Sequence, residues 1–286
     1  MSINMNHLCI GCFFKKHTDT IHAIDPVKAD DFCKDFLALM QKCMEGCNSA
    51  VAAPMVDALY KKHFGIAGDR FVEEKRQSNE FIKPRLPKIA ALVEKQADPV
   101  FASLQFAILG NYLDFSALKG QVSFEKLDEM LENALHMELD TAVYDQLCAD
   151  LSKAKNLLYV TDNAGEIGFD RICAQQLQKK YPQLQITFCV RGKPTLNDAT
   201  REDAAYMELE FPIVDTGNNV GGIDIPQLSA EAKAAFDRAD VILAKGMGNT
   251  ESTYGCDYNI YYAFLVKCVR FMEFFQKPLM TPMLIK

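Results

Sequence analysis

The hydrophobic pattern changes period once along the chain. From Asp30 to about Gln146, apolar residues recur at three and four: Phe32, Phe36, Leu37, Met40 and Met44 in one stretch, Leu127, Met130, Leu131, Ala134 and Leu135 in another. That spacing is the stripe of amphipathic helices. Pro54, Gly65, Gly68, Pro84, Pro87 and Pro99 fall between the runs and punctuate them. After Lys155, short apolar runs take over at 157–160, 185–190, 211–214, 241–244 and 264–266, separated by helical stretches at about 168–181, 200–209, 229–238 and 251–261. Alternation of this kind predicts an α/β fold: a Rossmann-like, mostly parallel sheet with flanking helices, preceded by an N-terminal all-helical subdomain. The expected division is 1–150 and 151–286. Residues 151–156 have no flexible-linker composition, so the helical part is expected to pack directly on the sheet.

Composition narrows the function classes. A hydrophobic content of 49% and a charged content of 24% suit a globular chain rather than a disordered one. A net charge of -7 argues against a general nucleic-acid binder, which needs a basic footprint. It leaves room for a phosphorylated small molecule, because a bound divalent metal reverses the local field. No apolar run has the length of a membrane span and residues 1–16 do not read as a secretory signal, so the expected compartment is the cytoplasm. In that compartment the ten cysteines are expected to be thiols. Cys9 and Cys12, with Cys43 and Cys47, offer a weaker alternative as two pairs closing a zinc site.

The chemistry gathers where strands are expected to end. The run 157–160 stops at Thr161-Asp162-Asn163-Ala164-Gly165-Glu166, which places a carboxylate and an amide at a strand end, where open α/β sheets bind ligands. The next strand leads into Arg191-Gly192-Lys193-Pro194-Thr195-Leu196-Asn197-Asp198, repeating the amide-and-carboxylate pair. Helix capping accounts for one acidic residue there, with Thr200 and Asp203 as a capping pair, but not for the recurrence after a second strand. The run 241–244 ends at Lys245-Gly246-Met247-Gly248-Asn249, where a lysine and glycines opening a helix can cradle a phosphate. Asn111 and Asp114, three apart in an apolar helical stretch, share a face that points either to water or to a site. Oxygen donors on Asp162, Asn163 and Asp198 suit magnesium or manganese, and Arg191 and Lys245 supply positive charge; together they suit metal-assisted phosphoryl hydrolysis.

At these residues the chain resembles the damage-control phosphatases, the metal-binding domain-of-unknown-function-89 family. The resemblance is carried by 162–166, 191–200, 245–251 and 110–115, in order along the chain, and Cys9-Ile10-Gly11-Cys12 resembles a pair found in the family's prokaryotic branch. It implies a phosphomonoester hydrolase acting on small phosphorylated metabolites, either sugar phosphates or damaged cofactor intermediates of the phosphopantetheine type. The implied metals are manganese, magnesium, nickel or cobalt, with Asp162, Asn163 and Asp198 as ligands and a metal-activated water as nucleophile. Asp162, Asp198 and Lys245 then carry catalysis, Lys245 as the phosphate-binding lysine, while Arg191, Asn111, Gly246 and Glu166 face the substrate. The Met-Gly-Asn-Thr after Gly246 departs from the longer or aromatic side chain expected there and bears on substrate identity. Two alternatives remain at this level. One is an S-adenosylmethionine-dependent carboxyl methyltransferase, which the absence of a glycine-rich loop after the first strand disfavours. The other is a non-catalytic metal- or metabolite-binding protein. A carboxylate nucleophile, Asp162 or Asp198, also stays open.

Overall fold

A computed structural model describes residues 3–115 and 122–286. The strands are β1 (Asn156–Val160), β2 (Gln185–Val190), β3 (Ile213–Asp215), β4 (Val241–Lys245), β5 (Ile260–Leu265) and β6 (Pro282–Ile285). Among the described residues they form one six-stranded sheet in the order β3-β2-β1-β4-β5-β6. All pairings are parallel except β5 with β6. The chain builds outward from β1 to β3, then crosses back to add β4 on the other side of β1. Such a reversal opens a crevice at the carboxyl ends of the two central strands. Asp162 follows β1 and Lys245 ends β4, so both lie at that crevice.

Successive residues of β1 feed opposite cores. Leu157 and Tyr159 join the larger cluster, Leu158 and Val160 the smaller one. Both faces are therefore dry, which is why these strands read as continuous apolar runs. The larger cluster also takes in Leu86, Ile108, Leu147 and Leu151, so helices from the first half of the chain pack on the sheet itself. The helix Pro99–Gly110 is buried almost all round, as expected of a helix inserted between layers. Gly110 makes its close approach possible, because a side chain there would meet the Phe169 ring and Glu166. Asn111 is thereby delivered to the crevice as the C-cap.

A separate apolar cluster lies among the helices His7–Ile24, Pro26–Cys43 and Ser49–Phe64, centred on Ile21, Phe32, Phe36, Met40, Val56 and Tyr60. Leu37 and Met44, expected on the same stripe, are 52% and 53% exposed. Phe32, Phe36 and Met40 recur every four residues and define the buried face, from which Leu37 turns away by about 100°.

One further expectation changes and another is met. The helix expected at 251–261 is instead the helix Gly246–Thr253 followed by β5, which begins before the expected 264–266 run. An apolar run buried on both faces has no alternation, so periodicity alone does not separate strand from helix there. Thr200 and Asp203 do form a capping box, opening the helix Arg201–Tyr206, which leaves Asn197 and Asp198 outside the capping role. Among the described residues no helix is long and apolar enough to cross a membrane.

Candidate active site

Two backbone hydrogen bonds build the site. Ala199 N–H donates to the Asp162 carbonyl at 2.7 Å and Ala164 N–H to the Asn197 carbonyl at 2.9 Å. This short antiparallel pairing, with Asn163 opposite Asp198, joins the segment after β1 to the segment after β2. It brings together the two amide-and-carboxylate pairs singled out in the sequence. Asp162 and Asp198 are 5% and 4% exposed, so both open only narrowly to solvent.

The carboxyls lie in an electrostatically crowded place. Burial holds the Asp162 carboxyl well above its ordinary value, and neighbouring Asp198 and Glu166 push it further. Burial also raises Asp198, against the opposing pull of the Arg191 guanidinium. Arg191 Nε donates to Asp198 Oδ2 at 2.6 Å, and its other nitrogens donate to the Gly222 carbonyl at 3.2 Å and Asn249 Oδ1 at 2.9 Å. The sequence reading gives Arg191 to a substrate phosphate; in the structure it is 1% exposed and donates these three hydrogen bonds within the protein.

Asn111 and Asn163 each donate Nδ2 to Asp162 Oδ2 at 2.8 Å. Their orientations are set from outside: Asn111 Oδ1 accepts from the Leu265 N–H at 3.2 Å, and Asn163 Oδ1 accepts from Asn197 Nδ2 at 2.9 Å. Glu166 supports both amides, accepting from Asn163 Nδ2 at 2.7 Å and Asn111 Nδ2 at 3.1 Å. Beneath it, Lys245 Nζ donates to Glu166 Oε1 at 2.5 Å and to the Ala107 carbonyl at 2.7 Å, and lies 3.2 Å from Asp170. Burial alone would lower the Lys245 ammonium, but Asp170 and Glu166 raise it above its ordinary value. Glu166 and Lys245, expected as separate substrate-facing groups, are instead buried against each other. Gly246 follows with φ +81°, and a side chain there would collide with the Asp162 carboxyl. The glycine therefore lets the backbone after β4 lie directly against the first carboxylate.

Several residues at the site escaped sequence reasoning. Lys267, just past β5, donates to the Asn111 carbonyl at 2.7 Å and Asp114 Oδ2 at 2.6 Å. The apolar run read at 264–266 ends directly before it, so the strand-end rule that singled out Asp162 applies to Lys267 as well. Asn249 holds Arg191 and donates to the Thr161 and Lys245 carbonyls. Asp170 lies four residues after Glu166 on one helix face, a spacing legible in the sequence. Asn79 ties the Gly165 N–H to Asp203, and Lys75 lies 2.9 Å from Asp203. These come from a helix whose chemistry no motif flagged.

A group for a cation is tested by what the site lacks. Asn197 Oδ1 is buried and accepts no hydrogen bond, in a residue that precedes Asp198 and whose Nδ2 donates to Asn163 Oδ1. An orphaned acceptor beside two crowded carboxyls fits a hard cation and its water shell. Among the described residues no group of three or more His, Cys, Asp or Glu is arranged to hold a metal, at the crevice or among the cysteines. All ten cysteines are free.

Comparison with known proteins follows this geometry. The family model described as the damage-control phosphatase ARMT1-like domain matches residues 5–280. An uncharacterised protein of Methanocaldococcus jannaschii is 31% identical over 284 residues, covering 93% of this chain and 90% of the relative. A damage-control phosphatase of Pyrococcus horikoshii is 31% identical over 234 residues, covering 80% of this chain and 78% of its own. The crystal structure of a domain-of-unknown-function-89 protein from Pyrococcus horikoshii superposes with a TM-score of 0.82 at 27% identity, covering 100% of this chain and 99% of the other.

Proposed function

This chain belongs to the damage-control phosphatase ARMT1-like family, and on that premise we propose that it is a metal-dependent phosphatase of small phosphorylated metabolites, working in the cytoplasm. Sugar phosphates and damaged cofactor intermediates of the phosphopantetheine type are the substrates we put first. The observation that carries the reading is the antiparallel pairing of 162–164 with 197–199, which fixes two buried carboxylates at one point of the crevice.

In this reading Asp162, Asn163 and Asp198 hold a divalent ion such as manganese, magnesium, nickel or cobalt. Such an ion polarises a phosphate oxygen and makes water a stronger nucleophile at neutral pH. The chain's own groups prepare the place. Arg191 fixes Asp198, the two asparagines fix Asp162, and Glu166 with Lys245 fixes the asparagines. Gly246 leaves room for the Asp162 carboxyl at the start of the helix Gly246–Thr253. Near-complete burial keeps bulk water away, so charge placed there is felt strongly. The helical part, residues 1–150, supplies the outer wall, and residues 151–286 supply the ligands.

Turnover of an aryl phosphate with each of the four metals in turn tests the proposal. Asp162→Ala and Asp198→Ala are expected to abolish both turnover and metal binding. Full activity in either variant would remove that residue from the site.

A further inference from the structure

The helix Val72–Ile82 turns a polar face inward. Its buried residues are Lys75, Ser78, Asn79 and Ile82, so three of the four positions that meet the rest of the protein carry polar groups. A surface helix normally buries an apolar stripe, and buried polar groups cost free energy unless they are partnered. The partners here are the two segments that carry the candidate metal ligands. Asn79 Oδ1 accepts from the Gly165 N–H at 2.8 Å, and Asn79 Nδ2 donates to Asp203 Oδ1 at 2.8 Å. Asp203 Oδ2 in turn accepts from the Thr200 N–H at 2.9 Å and the Thr200 hydroxyl at 2.8 Å.

Gly165 and Thr200 are the first residues beyond the paired stretches 162–164 and 197–199. One side-chain hydrogen bond, Asn79 to Asp203, therefore links the points where both ligand segments leave their pairing. Two features hold that bond in place. Lys75, one turn before Asn79, lies 2.9 Å from Asp203 and 3.5 Å from Asp69; burial alone would lower its ammonium, but both acids raise it above its ordinary value. Gly165 has φ +78°, and a side chain there would meet Ser78 and Leu113, so the glycine lets the helix lie directly on the turn after Asn163. Asn79, Asp203 and Lys75 are 6%, 4% and 7% exposed, so water competes little for these contacts.

We propose that Asn79 and Asp203 are positioning residues: their hydrogen bond sets the spacing of the segments carrying Asp162 and Asp198, so the helical part of the chain governs how tightly the metal is held. The inference rests on the metal-dependent reading above. Neither side chain is placed on the ion; each acts through the backbone it holds. Ligands already held at their binding spacing lose little freedom when the ion arrives, whereas two independently moving segments must be brought together by the ion itself.

Manganese affinity of the metal-free protein, read by calorimetry beside urea unfolding, tests it. Asn79→Ala is expected to raise the manganese Kd about 10–100-fold. Asp203→Asn is expected to do the same, because its amide turns a donor either to Asn79 Nδ2 or to Thr200. It keeps the shape and buries no new charge, so it reads the same affinity should Asn79→Ala fail to fold. Adding Asn79→Asp to Asp203→Asn exchanges donor and acceptor across the pair: the new amide donates, and the new carboxylate accepts from it and from the Gly165 N–H. The Kd of that double variant is expected to return to within about threefold of wild type. Ile82→Val, on the same helix face, is expected to lower stability while leaving the Kd unchanged. Wild-type affinity in either single variant overturns the proposal and leaves the metal-dependent reading standing. So does a double variant that binds no better than Asp203→Asn, or an Ile82→Val protein whose affinity falls as far as that of Asn79→Ala. A wild-type protein that binds none of the four metals overturns the metal-dependent reading and the positioning role with it.

Discussion

The Lys245 ammonium lies 2.5 Å from Glu166 Oε1, with neither side chain exposed. Through this contact the candidate metal ligands are tied to the core below them. Tyr159 donates to Asp170 at 2.8 Å, Asp170 faces Lys245, Lys245 donates to Glu166, and Glu166 receives the amides that hold Asp162. Burial pushes the Asp170 carboxyl up to about 7 despite Lys245 beside it, and its Oδ2 has no partner. Lys245 is thus the single cation shared by two buried carboxyl groups.

Removing that cation should be costly. Lys245→Met leaves Glu166 and Asp170 buried without a counter-charge, and unfolding in urea should show a loss of about 3–5 kcal/mol. Lys245→Met combined with Asp170→Asn should recover part of the loss, because one of the stranded carboxylates is gone. A single variant as stable as wild type would mean that the pair has no structural role.

Glu166→Gln keeps the shape but turns an acceptor toward a donor. With its amide facing Lys245 or Asn163, the orientation of Asn163 is no longer enforced. Manganese affinity, measured by calorimetry, is expected to fall about 10–100-fold while the fold persists. Unchanged affinity would show that the asparagines are fixed without Glu166.

Glycine is required at 246 and not at 11. Gly246 has φ +81° and abuts the Asp162 carboxyl, whereas nothing lies near a side chain at helical Gly11. Gly246→Ala should cost about 1–3 kcal/mol and reduce turnover. Gly11→Ala should stabilise the protein by about 0.5–1 kcal/mol and leave turnover intact. Thermal melts and aryl phosphate assays on the two variants make the comparison, and equal behaviour would contradict it.

His17 gives the fold an acid limit. Burial, with Lys16 and Arg70 nearby, pushes its imidazole down from 6.5 to about 3, and Nδ1 lies 3.0 Å from the Tyr60 hydroxyl. The unfolded chain therefore takes up this proton more readily than the folded one. The contribution is fully present above about pH 6.5 and is lost progressively as pH falls toward about 3. At about pH 5 the loss should be about 2 kcal/mol relative to neutral pH. Urea unfolding of wild type and His17→Gln across this range checks it, since the variant should show a shallower slope.

Much of the sheet was legible along the chain. The runs 157–160, 185–190 and 241–244 coincide closely with β1, β2 and β4, because strands covered on both faces must be apolar throughout. The same property hid β5. Its Ile260-Tyr261-Tyr262-Ala263-Phe264-Leu265 carries no alternation, and the polar stretch before it suggested a helix at the wrong place. The antiparallel β6 begins at Pro282, directly after the turn that follows the helix Val269–Phe275, and the sequence reading does not include it.

What the sequence by itself determined is which chemistry stands at which strand end: Asp162 and Asn163 after β1, Asn197 and Asp198 after β2, Lys245 and Gly246 at the end of β4. Strand ends follow from local patterning, and parallel strands send their carboxyl ends to one edge. Only the tertiary structure decided how those groups are engaged. Arg191 is committed to Asp198 and Asn249, and Lys245 to Glu166 and Asp170. Ion pairing depends on distance and burial between segments far apart in the chain, which no local spacing encodes.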